Sequence, residues 1–543
     1  MSTNPTPATS SGDALRRGDL DALRGVAMLL GIGLHASLAY FSYPWPVQDS
    51  ARSLAFGLAY AAIHGFRMPL FFLLSGFFTM LVYRRRGLRT LLEQRAVRLL
   101  LPLLMAMATI LPVDRAVIGW AIRRSTAATA ARDPLSGAIL SGDIAAVRQA
   151  LAAPPDLLHG DQQSGLKPLA FAATGGDPAI VAALLAAGAE VTAGGPSGTT
   201  PLHAATFMGR HDVALLLLAN GADPAATNSF GKTPLGTFAM PPGVAAASGE
   251  FLGFPRLSAA EIELGRRQIR ALLSPLTPAG GQAGPLDALT TTYRDFLASP
   301  RLGIDVGGES WQLFETNFFD HLWFLVFLAL LVAAFALASI VGLLPTGRFR
   351  WWLLTASVFP AALMWSPYGP DTALGLLPTP HLLLYYGCFF WFGAATHAVD
   401  GPDTPLGARW PILLPLALLV LFPAGIATMA DRPLAALLQP AYAWAMSIGL
   451  IGLFRRFCPR PVKLLRWLAD ASYWMYLVHV PLVIACQSWL GDRDLPAAVK
   501  FLLVNTLTVA VLLLTYRFGV RYTPIGWLLH GPRTPSEPAV KRG

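Results

Sequence analysis

Residues 20–42 read LDALRGVAMLLGIGLHASLAYFS, and this stretch indicates the fold of the chain around it. Its apolar residues suffice to cross a bilayer, since about twenty of them span the hydrocarbon core. It is longer than the apolar region of a secretory signal peptide and lacks the small-residue cleavage pattern. The stretch is therefore predicted to remain in the membrane as the first spanning helix.

The composition of the 543-residue chain extends this prediction to most of its length. Apolar residues make up 54% and charged residues 13%, and the mean hydropathy is +0.50. The charged share is about half that of a typical globular domain, and a water-soluble fold could not hide so much apolar surface. We predict an all-α, polytopic membrane bundle of about ten spans, at 20–42, within 54–83, and at 99–121, 320–343, 350–367, 382–399, 410–428, 434–454, 471–490 and 497–517.

Basic residues cluster at the ends of these runs and predict the orientation. Arginines and lysines precede the first span and follow the second, fourth, eighth and tenth, all on the side of the N-terminus. The opposite loops at 366–381, 429–433 and 491–496 are short and nearly neutral. The positive-inside rule then places both termini in the cytoplasm of a bacterial inner membrane, with the segment between spans three and four in the periplasm. The net charge of +10 follows from this placement, so we expect no nucleic-acid partner.

A repeat of fixed period interrupts the spans. The segments Gly165–Leu169, Gly198–Leu202 and Gly231–Leu235 share a Gly-x-x-Pro-Leu pattern and begin 33 residues apart, which is the ankyrin period. The run from 133 to 158 is a degenerate first copy. We predict an inserted α-solenoid of ankyrin repeats over 133–240, in which His203 serves structure by bonding the neighbouring turn.

The flanking segments complete the predicted organisation. Residues 241–318 have the composition of a linker with one amphipathic helix near 259–274. The predicted division is a disordered cytoplasmic leader at 1–19, membrane parts at 20–122 and 319–530 around the repeats and the linker, and a cytoplasmic tail at 531–543.

Cysteine and histidine spacing gives no metal or disulfide pattern. Cys388, Cys458 and Cys486 are odd in number and widely spaced, so they are predicted to be packing residues. His381, directly before the sixth span, is expected to be an ordinary loop residue. We predict no metal site.

Ionisable side chains inside spans are costly and are candidates for function. Arg24 and His35 are eleven positions apart on the first span, about three helical turns, which places both on one face roughly 16 Å apart. A cation at the membrane boundary and an imidazole at depth suit an enzyme that binds an anionic donor and reacts its far end. The alternative is a buried histidine bonded to a carbonyl.

Further polar residues follow on other spans. His64 and Arg67 are helical neighbours that line a cavity or lie near the outer end. Ser75 directly precedes Gly76, and the favoured interpretation of the two is a close-packing pair. Arg95 and Arg98 share a face at the inner mouth of the third span, where two guanidinium groups can bind a phosphate or serve topology and lipid headgroups. Four more candidates for the cavity or the acceptor are His321, Trp323, Tyr476 and His479.

Together these segments resemble the acyltransferase family 3 of membrane O-acyltransferases. The resemblance rests on residues 20–25 with His35, on 71–77, on 95–98 and on 476–479. Residues 64–68, 321–325 and 471–479 favour the branch of the family that acts on osmoregulated periplasmic glucans. The likeness covers 20–122 and 318–530, and the ankyrin insert has no counterpart in the usual family pattern.

The resemblance implies an activity and roles for individual residues. It implies transfer of an acyl group, expected to be succinyl, from cytoplasmic acyl-CoA to a hydroxyl of a periplasmic glucan or related carbohydrate, with no bound cofactor. It implies that His35 is catalytic, as a general base or through an acyl-imidazole, and links Arg24, Arg95 and Arg98 to activity or donor binding. A protein partner on the insert is also expected.

Two other functions stay open from the sequence. The same chemistry could move acetyl to a surface or lipid-linked polysaccharide. A different class is an ankyrin-bearing membrane receptor or transporter, in which the spans only anchor the repeats. The polar residues on several spans favour an enzyme, because a simple anchor has no need of them.

Overall fold

The computed structural model describes residues 17–530, with gaps at 42, 44, 50, 153–164, 196, 229–231, 277–284, 307–308, 315, 346, 348–349, 365–368, 372–374, 398–405, 430 and 461. The predicted tail and all but the last three residues of the predicted leader lie outside the described residues. The third Gly-x-x-Pro-Leu copy lies partly outside them.

The first membrane part consists of α1 (Gly18–Ser37), α2 (Leu54–Arg95) and α3 (Leu101–Arg132), with one π-helical turn joining α2 to α3. Helix α2 breaks at Gly87, whose φ of 77° and ψ of 171° suit glycine because it has no Cβ. Beyond the break the chain returns along α2, since Arg95 donates a hydrogen bond to the Thr79 hydroxyl at 3.0 Å. The region between the second and third predicted spans is therefore a helical hairpin.

The ankyrin insert begins one residue after α3. Its helices form pairs, α4 (Pro134–Ser141) with α5 (Ile144–Ala152), α6 (Pro168–Gly175) with α7 (Pro178–Ala186), and α8 (Pro201–Phe207) with α9 (His211–Ala219). Proline at the first helical position needs no hydrogen-bond partner for its nitrogen there. Equivalent positions of successive repeats share one core, in which Leu169 and Leu202, Ile180 and Val213, and Leu184 and Leu217 are buried.

The hydrogen bonds of His203 match the structural role predicted for it. Its Nδ1 lies 2.7 Å from the Thr200 hydroxyl, and its Nε2 lies 2.8 Å from the Lys232 carbonyl in the next turn. Burial lowers the pKa of His203, while the bond to Lys232 opposes this shift. The ring therefore joins two repeats in its neutral form.

Residues 241–318 contain more structure than a linker. They form α10 (Pro242–Phe251), α11 (Ala259–Leu273), α12 (Pro285–Leu297) and an antiparallel hairpin of β1 (Gly303–Val306) and β2 (Glu309–Gln312). The predicted amphipathic helix matches α11. Arg266 of α11 is buried and donates to the carbonyls of Phe207 and Met240. Helices α10 and α11 thus close the end of the solenoid, where a stack needs a cap.

The second membrane part contains the remaining helices. They are α13 (Trp323–Ile340), α14 (Arg350–Ala356), α15 (Val358–Ala362), α16 (Pro380–His397), α17 (Trp410–Leu416), α18 (Phe422–Ala427), α19 (Arg432–Phe457), α20 (Lys463–Gly491), α21 (Ala497–Thr515) and α22 (Pro524–His530). The predicted span at 350–367 is instead two short helices. Pro360 has no N–H to bond the carbonyl of Ala356 four residues earlier, so the helix is interrupted between α14 and α15.

Seven helical stretches of the described chain are long and apolar enough to cross a membrane. One of them, Leu54–Arg132, contains both the second and the third predicted spans. The region of α14 and α15 and the helix α16 are not among the seven. The membrane-embedded, multi-pass architecture is thus supported, while the number ten stays a prediction.

Two glycines bring α2 and α16 into backbone contact. A Cβ at Gly76 would overlap the carbonyl of Phe390, and one at Gly393 would overlap the carbonyl of Leu73. Small residues allow this approach in membrane helices, where packing replaces the hydrophobic effect. The reading of Ser75-Gly76 as a close-packing pair agrees with this geometry.

Candidate active site around His35

The imidazole of His35 lies against a second histidine. His35 is half-buried near the end of α1, and His479 of α20 is almost fully buried. Nδ1 of His35 is 2.9 Å from Nε2 of His479, and the ring centroids are 4.9 Å apart. The pair is formed because α1 and α20 pack along much of their length.

The surroundings of His479 fix the direction of this hydrogen bond. Nδ1 of His479 lies 2.9 Å from the Tyr476 carbonyl, which can only accept. In neutral rings Nδ1 of His479 therefore carries the proton, and its Nε2 accepts from Nδ1–H of His35. This tautomer leaves the lone pair of His35 on Nε2, for which the described residues supply no hydrogen-bond partner. His35 thus has the arrangement of a general base held by a second group.

Trp45 and Gln487 hold the opposite side of His35. The Trp45 ring stacks on the imidazole with a centroid distance of 5.9 Å and an interplanar angle of 11°. Nε1 of Trp45 donates to Oε1 of Gln487 at 2.7 Å, and the amide nitrogen of Gln487 donates to the carbonyls of His35 and Ala36. The loop that follows α1 is therefore fixed to α20 across the reaction site.

A buried acid and histidine lie behind His479. Nδ1 of His321 is 3.0 Å from Oδ2 of Asp114, which is fully buried. Nε2 of His321 lies 3.1 Å from the Leu477 carbonyl, which accepts its proton. The geometry is a close contact rather than an aligned hydrogen bond. The rings of His321 and His479 are 5.6 Å apart, which connects this pair to the site.

Arg67 contacts α1 at a point between Arg24 and His35. Its guanidinium group presses against Gly31, one helical turn before His35, so closely that a Cβ at Gly31 would overlap it. Its Nε is buried and has no hydrogen-bond partner among the described residues. Arg67 therefore lines the interior rather than the outer end of its helix, and it carries an unused donor close to the imidazole.

Of the three arginines predicted to serve activity or donor binding, Arg24 contacts α20 and Arg95 contacts an earlier part of α2. Arg24 donates to the Ala469 carbonyl at 3.0 Å and lies 3.4 Å from Asp21. Arg95 is engaged by Thr79 through Nη2, and its Nε is buried without a partner in the described part of the chain. Arg98 is half-buried beside it. Arg24 and His35 both lie on α1, with Arg24 near its start and His35 near its end.

Four other predicted residues surround the site without entering the histidine pair. Nε2 of His64 lies 2.8 Å from the Pro370 carbonyl, and its ring stacks on Tyr60. Trp323 packs on the rings of Phe72, Phe327 and Tyr386. The Tyr476 hydroxyl donates to the His321 carbonyl at 2.7 Å, so its role is to join α20 to the start of α13. Ser75 directly precedes Gly76, at which α2 packs against α16, and the Ser75 carbonyl accepts from the Thr79 hydroxyl.

The expectation that His381 is an ordinary loop residue is wrong. It lies in α16 and is 5% exposed, with Nε2 3.2 Å from Asp371 and Nδ1 3.0 Å from the Tyr293 hydroxyl. Asp371 and Tyr293 thus contact opposite nitrogens of the ring. Sequence position alone gave no sign of this, because the partners are 10 and 88 residues away.

Three residues at the site were not among the sequence candidates. Asp114 had the clearest signal, since an acid inside an apolar run is itself a functional candidate. Gln487 was detectable in the same way but more weakly. Trp45 lies in a polar loop, and only its stacking on His35 reveals it.

Metal ligands are not grouped at this site. Across the described ranges, no three or more His, Cys, Asp or Glu side chains are arranged to hold a metal ion.

Comparison with known families agrees with this geometry. A family described as an acyltransferase domain matches residues 17–137 and 272–517, and a family of ankyrin repeats in three copies matches 135–228. The acyltransferase match covers both membrane parts and skips the repeats.

Individual relatives match over a shorter stretch. Glucans biosynthesis protein C of Escherichia coli K12 and that of Escherichia coli O1:K1 are each 39% identical over 103 residues. The alignment covers 19% of this chain and 25% of each relative. The chain thus matches about a quarter of the length of these curated relatives.

Proposed function

This chain belongs to acyltransferase family 3, and on that premise we propose that it moves an acyl group from cytoplasmic acyl-CoA to a carbohydrate hydroxyl on the outer side of the membrane. The proposed donor is succinyl-CoA and the proposed acceptor is a periplasmic glucan. Similarity to a protein named for glucan biosynthesis supports the acceptor class. The proposal places the chain in the inner membrane, with both termini cytoplasmic and the repeats periplasmic.

The observation that carries the proposal is Nε2 of His35, which has no hydrogen-bond partner among the described residues, on a ring whose Nδ1 is held by His479. As the acceptor hydroxyl attacks the thioester carbonyl, its proton moves to Nε2 of His35. The imidazolium that forms is stabilised through Nδ1–H by Nε2 of His479, which is already oriented by the Tyr476 carbonyl. The new ester C–O bond forms, the thioester C–S bond breaks, and the proton passes to the departing thiolate of CoA.

The arginines supply the charge that this reaction requires. Arg24, Arg95 and Arg98 lie where the CoA phosphates would enter, and guanidinium groups suit phosphate. The pantetheine arm would then run along α1 toward His35. Arg67, beside Gly31, is positioned to stabilise the negative oxygen of the tetrahedral intermediate in a site shielded from water.

The ankyrin repeats add a surface for interaction. Stacked repeats of this kind present an extended concave face and usually bind protein partners. We propose that the insert recruits a protein to the side where the carbohydrate arrives. Only Asp133 separates α3 from α4, so the repeats begin directly beyond α3, and α10 and α11 cap their far end.

Mass spectrometry of periplasmic glucans from a deletion strain tests the proposal. Complementation with the wild-type chain is expected to restore a succinyl mass increment, and His35→Ala is expected not to. Met475→Leu, a similar-volume change in the same helix as His479, is the control. A restored acetyl increment on another polysaccharide would replace the donor and acceptor but keep the chemistry. Full activity of a normally inserted His35→Ala chain would remove His35 from the mechanism.

A variant lacking residues 133–240 addresses the insert. If it inserts and acylates small acceptors in vitro but fails in cells, the repeats serve recruitment. If it acts like wild type in cells, the recruitment proposal is wrong.

A further inference from the structure

A polar cleft opens beside the His35 site, on the far side of Gln487. It lies between the end of α3, the end of α20 and the loop after α1, with a cavity of about 40 Å³. That volume holds about three water molecules, or a few hydroxyl groups of a larger molecule whose remainder lies in the opening. Its polar lining consists of Gln48, Arg124, Ser125, Arg132, Ser488 and Asp492.

Ser488 indicates that the cleft is built for a ligand. The residue is only 6% exposed, and its Oγ has no hydrogen-bond partner among the described residues. A buried hydroxyl without a partner is costly, so a native structure keeps one where water or a ligand completes its bonding. By contrast, the hydroxyls of Ser37 in α1 and of Ser472 in α20 donate to carbonyls of their own helices.

The charged groups of the cleft offer donors and an acceptor together. Nη2 of Arg124 lies 2.6 Å from Oδ2 of Asp492, and both side chains remain about half exposed. Arg132 also lines the cleft, and its Nε donates to the Ala128 carbonyl. This mixed set of guanidinium, carboxylate, amide and hydroxyl groups matches the alternating donors and acceptors of neighbouring sugar hydroxyls.

The cleft and the reaction site share a wall. Gln487 bonds the His35 carbonyl and Trp45, and the next residue is Ser488 of the cleft. Gln48 of the cleft donates to the Trp45 carbonyl on the other side. A molecule seated in the cleft would thus lie across the Trp45–Gln487 contact from the imidazole of His35.

We propose that this cleft is the subsite for a neutral sugar unit of the acceptor, adjacent to the unit that is acylated at His35. The inference rests on the proposed function and specifies how the acceptor is held. Because α3 continues into the repeats directly after Arg132, an acceptor in the cleft also borders the ankyrin insert.

The test uses the purified full-length chain in lipid nanodiscs with a linear glucose hexasaccharide and succinyl-CoA. Binding of the hexasaccharide without donor is measured by calorimetry, and transfer by mass spectrometry. Ser488→Ala and Arg124→Gln are expected to raise both Kd and KM for the hexasaccharide about tenfold, as expected for a lost ligand hydrogen bond, while KM for succinyl-CoA and kcat stay unchanged. Arg123→Gln, on the exposed neighbour of Arg124, is the matched control.

The outcomes separate the subsite from the function. If the wild type acylates the hexasaccharide, His35→Ala does not, and both cleft variants keep wild-type Kd and KM, the subsite is wrong and the acyltransferase proposal stands. An equal change in Arg123→Gln would mean a general charge effect and would also overturn the subsite. If the wild type neither binds nor acylates the hexasaccharide, the carbohydrate acceptor itself is wrong and the subsite falls with it.

Discussion

Replacing His479 tests the tautomer that the structure assigns to the active site. His479→Leu removes the acceptor for Nδ1–H of His35 and places an apolar side chain at a position that is 1% exposed. The lost bond matters most in the transition state, when His35 carries the proton and the bond is charge-assisted. A hydrogen bond to a charged group contributes about 1.5–3 kcal/mol, which corresponds to a fall in kcat of roughly 10- to 150-fold.

A second substitution at the same position makes the prediction specific. In His479→Gln the amide oxygen can accept from Nδ1–H of His35, so we expect kcat to recover by about an order of magnitude relative to His479→Leu. KM for the acyl donor is expected to stay unchanged in both, because His479 lies deeper than the arginines. His35→Ala is expected to lose about 10²- to 10⁴-fold, the usual contribution of a general base.

The assay is initial-rate acyl transfer by the purified chain, with Met475→Leu as the control for packing of α20. Equal activity of His479→Leu and wild type would refute the support that His479 gives to His35. A rise in KM with kcat intact would assign His479 to binding. If His479→Gln is no more active than His479→Leu, the residue acts through packing rather than through its hydrogen bond.

Three further predictions concern the scaffold. Lys500 and Asp49 form an ion pair 2.8 Å apart, and each side chain is 3% exposed. Lys500→Met should lower the free energy of unfolding by about 3–5 kcal/mol because it leaves a buried carboxylate unpaired. Adding Asp49→Asn should recover part of this loss, measured by thermal unfolding. Since burial lowers the pKa of His203, the unfolded state binds more protons below pH ~6.5. Hydrogen-exchange protection factors of the repeats, corrected for the intrinsic exchange rate at each pH, should therefore fall as pH falls below that value, and less so in His203→Asn. Gly76→Ala should cost about 1–3 kcal/mol or more through overlap with the facing carbonyl of α16, whereas Gly119→Ala, with its nearest contact at 3.4 Å, should unfold at the wild-type temperature.

Local and periodic features of the fold were predictable from the sequence. A run such as 20–42 must be helical in lipid, because only a helix satisfies its backbone groups within one segment. The ankyrin phase was equally readable, and Leu169 and Leu202 occupy equivalent buried places as the period requires. The span predicted at 350–367 is interrupted between α14 and α15, because hydropathy does not register the effect of Pro360 on a helix.

The candidate site was predictable in its residue types but not in its contacts. Arg24 and His35 share α1, so their order along the membrane follows from the sequence. The partnership of His35 with His479 joins residues 444 positions apart. Spacing could identify both as costly intramembrane histidines, yet it could not pair them.

The sequence by itself determined a membrane bundle interrupted by ankyrin repeats, and it identified Arg24 and His35 as ionisable residues of one apolar run. Each of these follows from hydropathy, period or charge, which act along the chain over distances of a few turns. The tertiary structure alone decided that Nε2 of His35 has no hydrogen-bond partner among the described residues, that Asp114 contacts His321, that His381 is buried, and that Ser488 lines a cleft. Those properties depend on which groups from distant helices meet in a medium without water, where each hydrogen bond must be found within the protein.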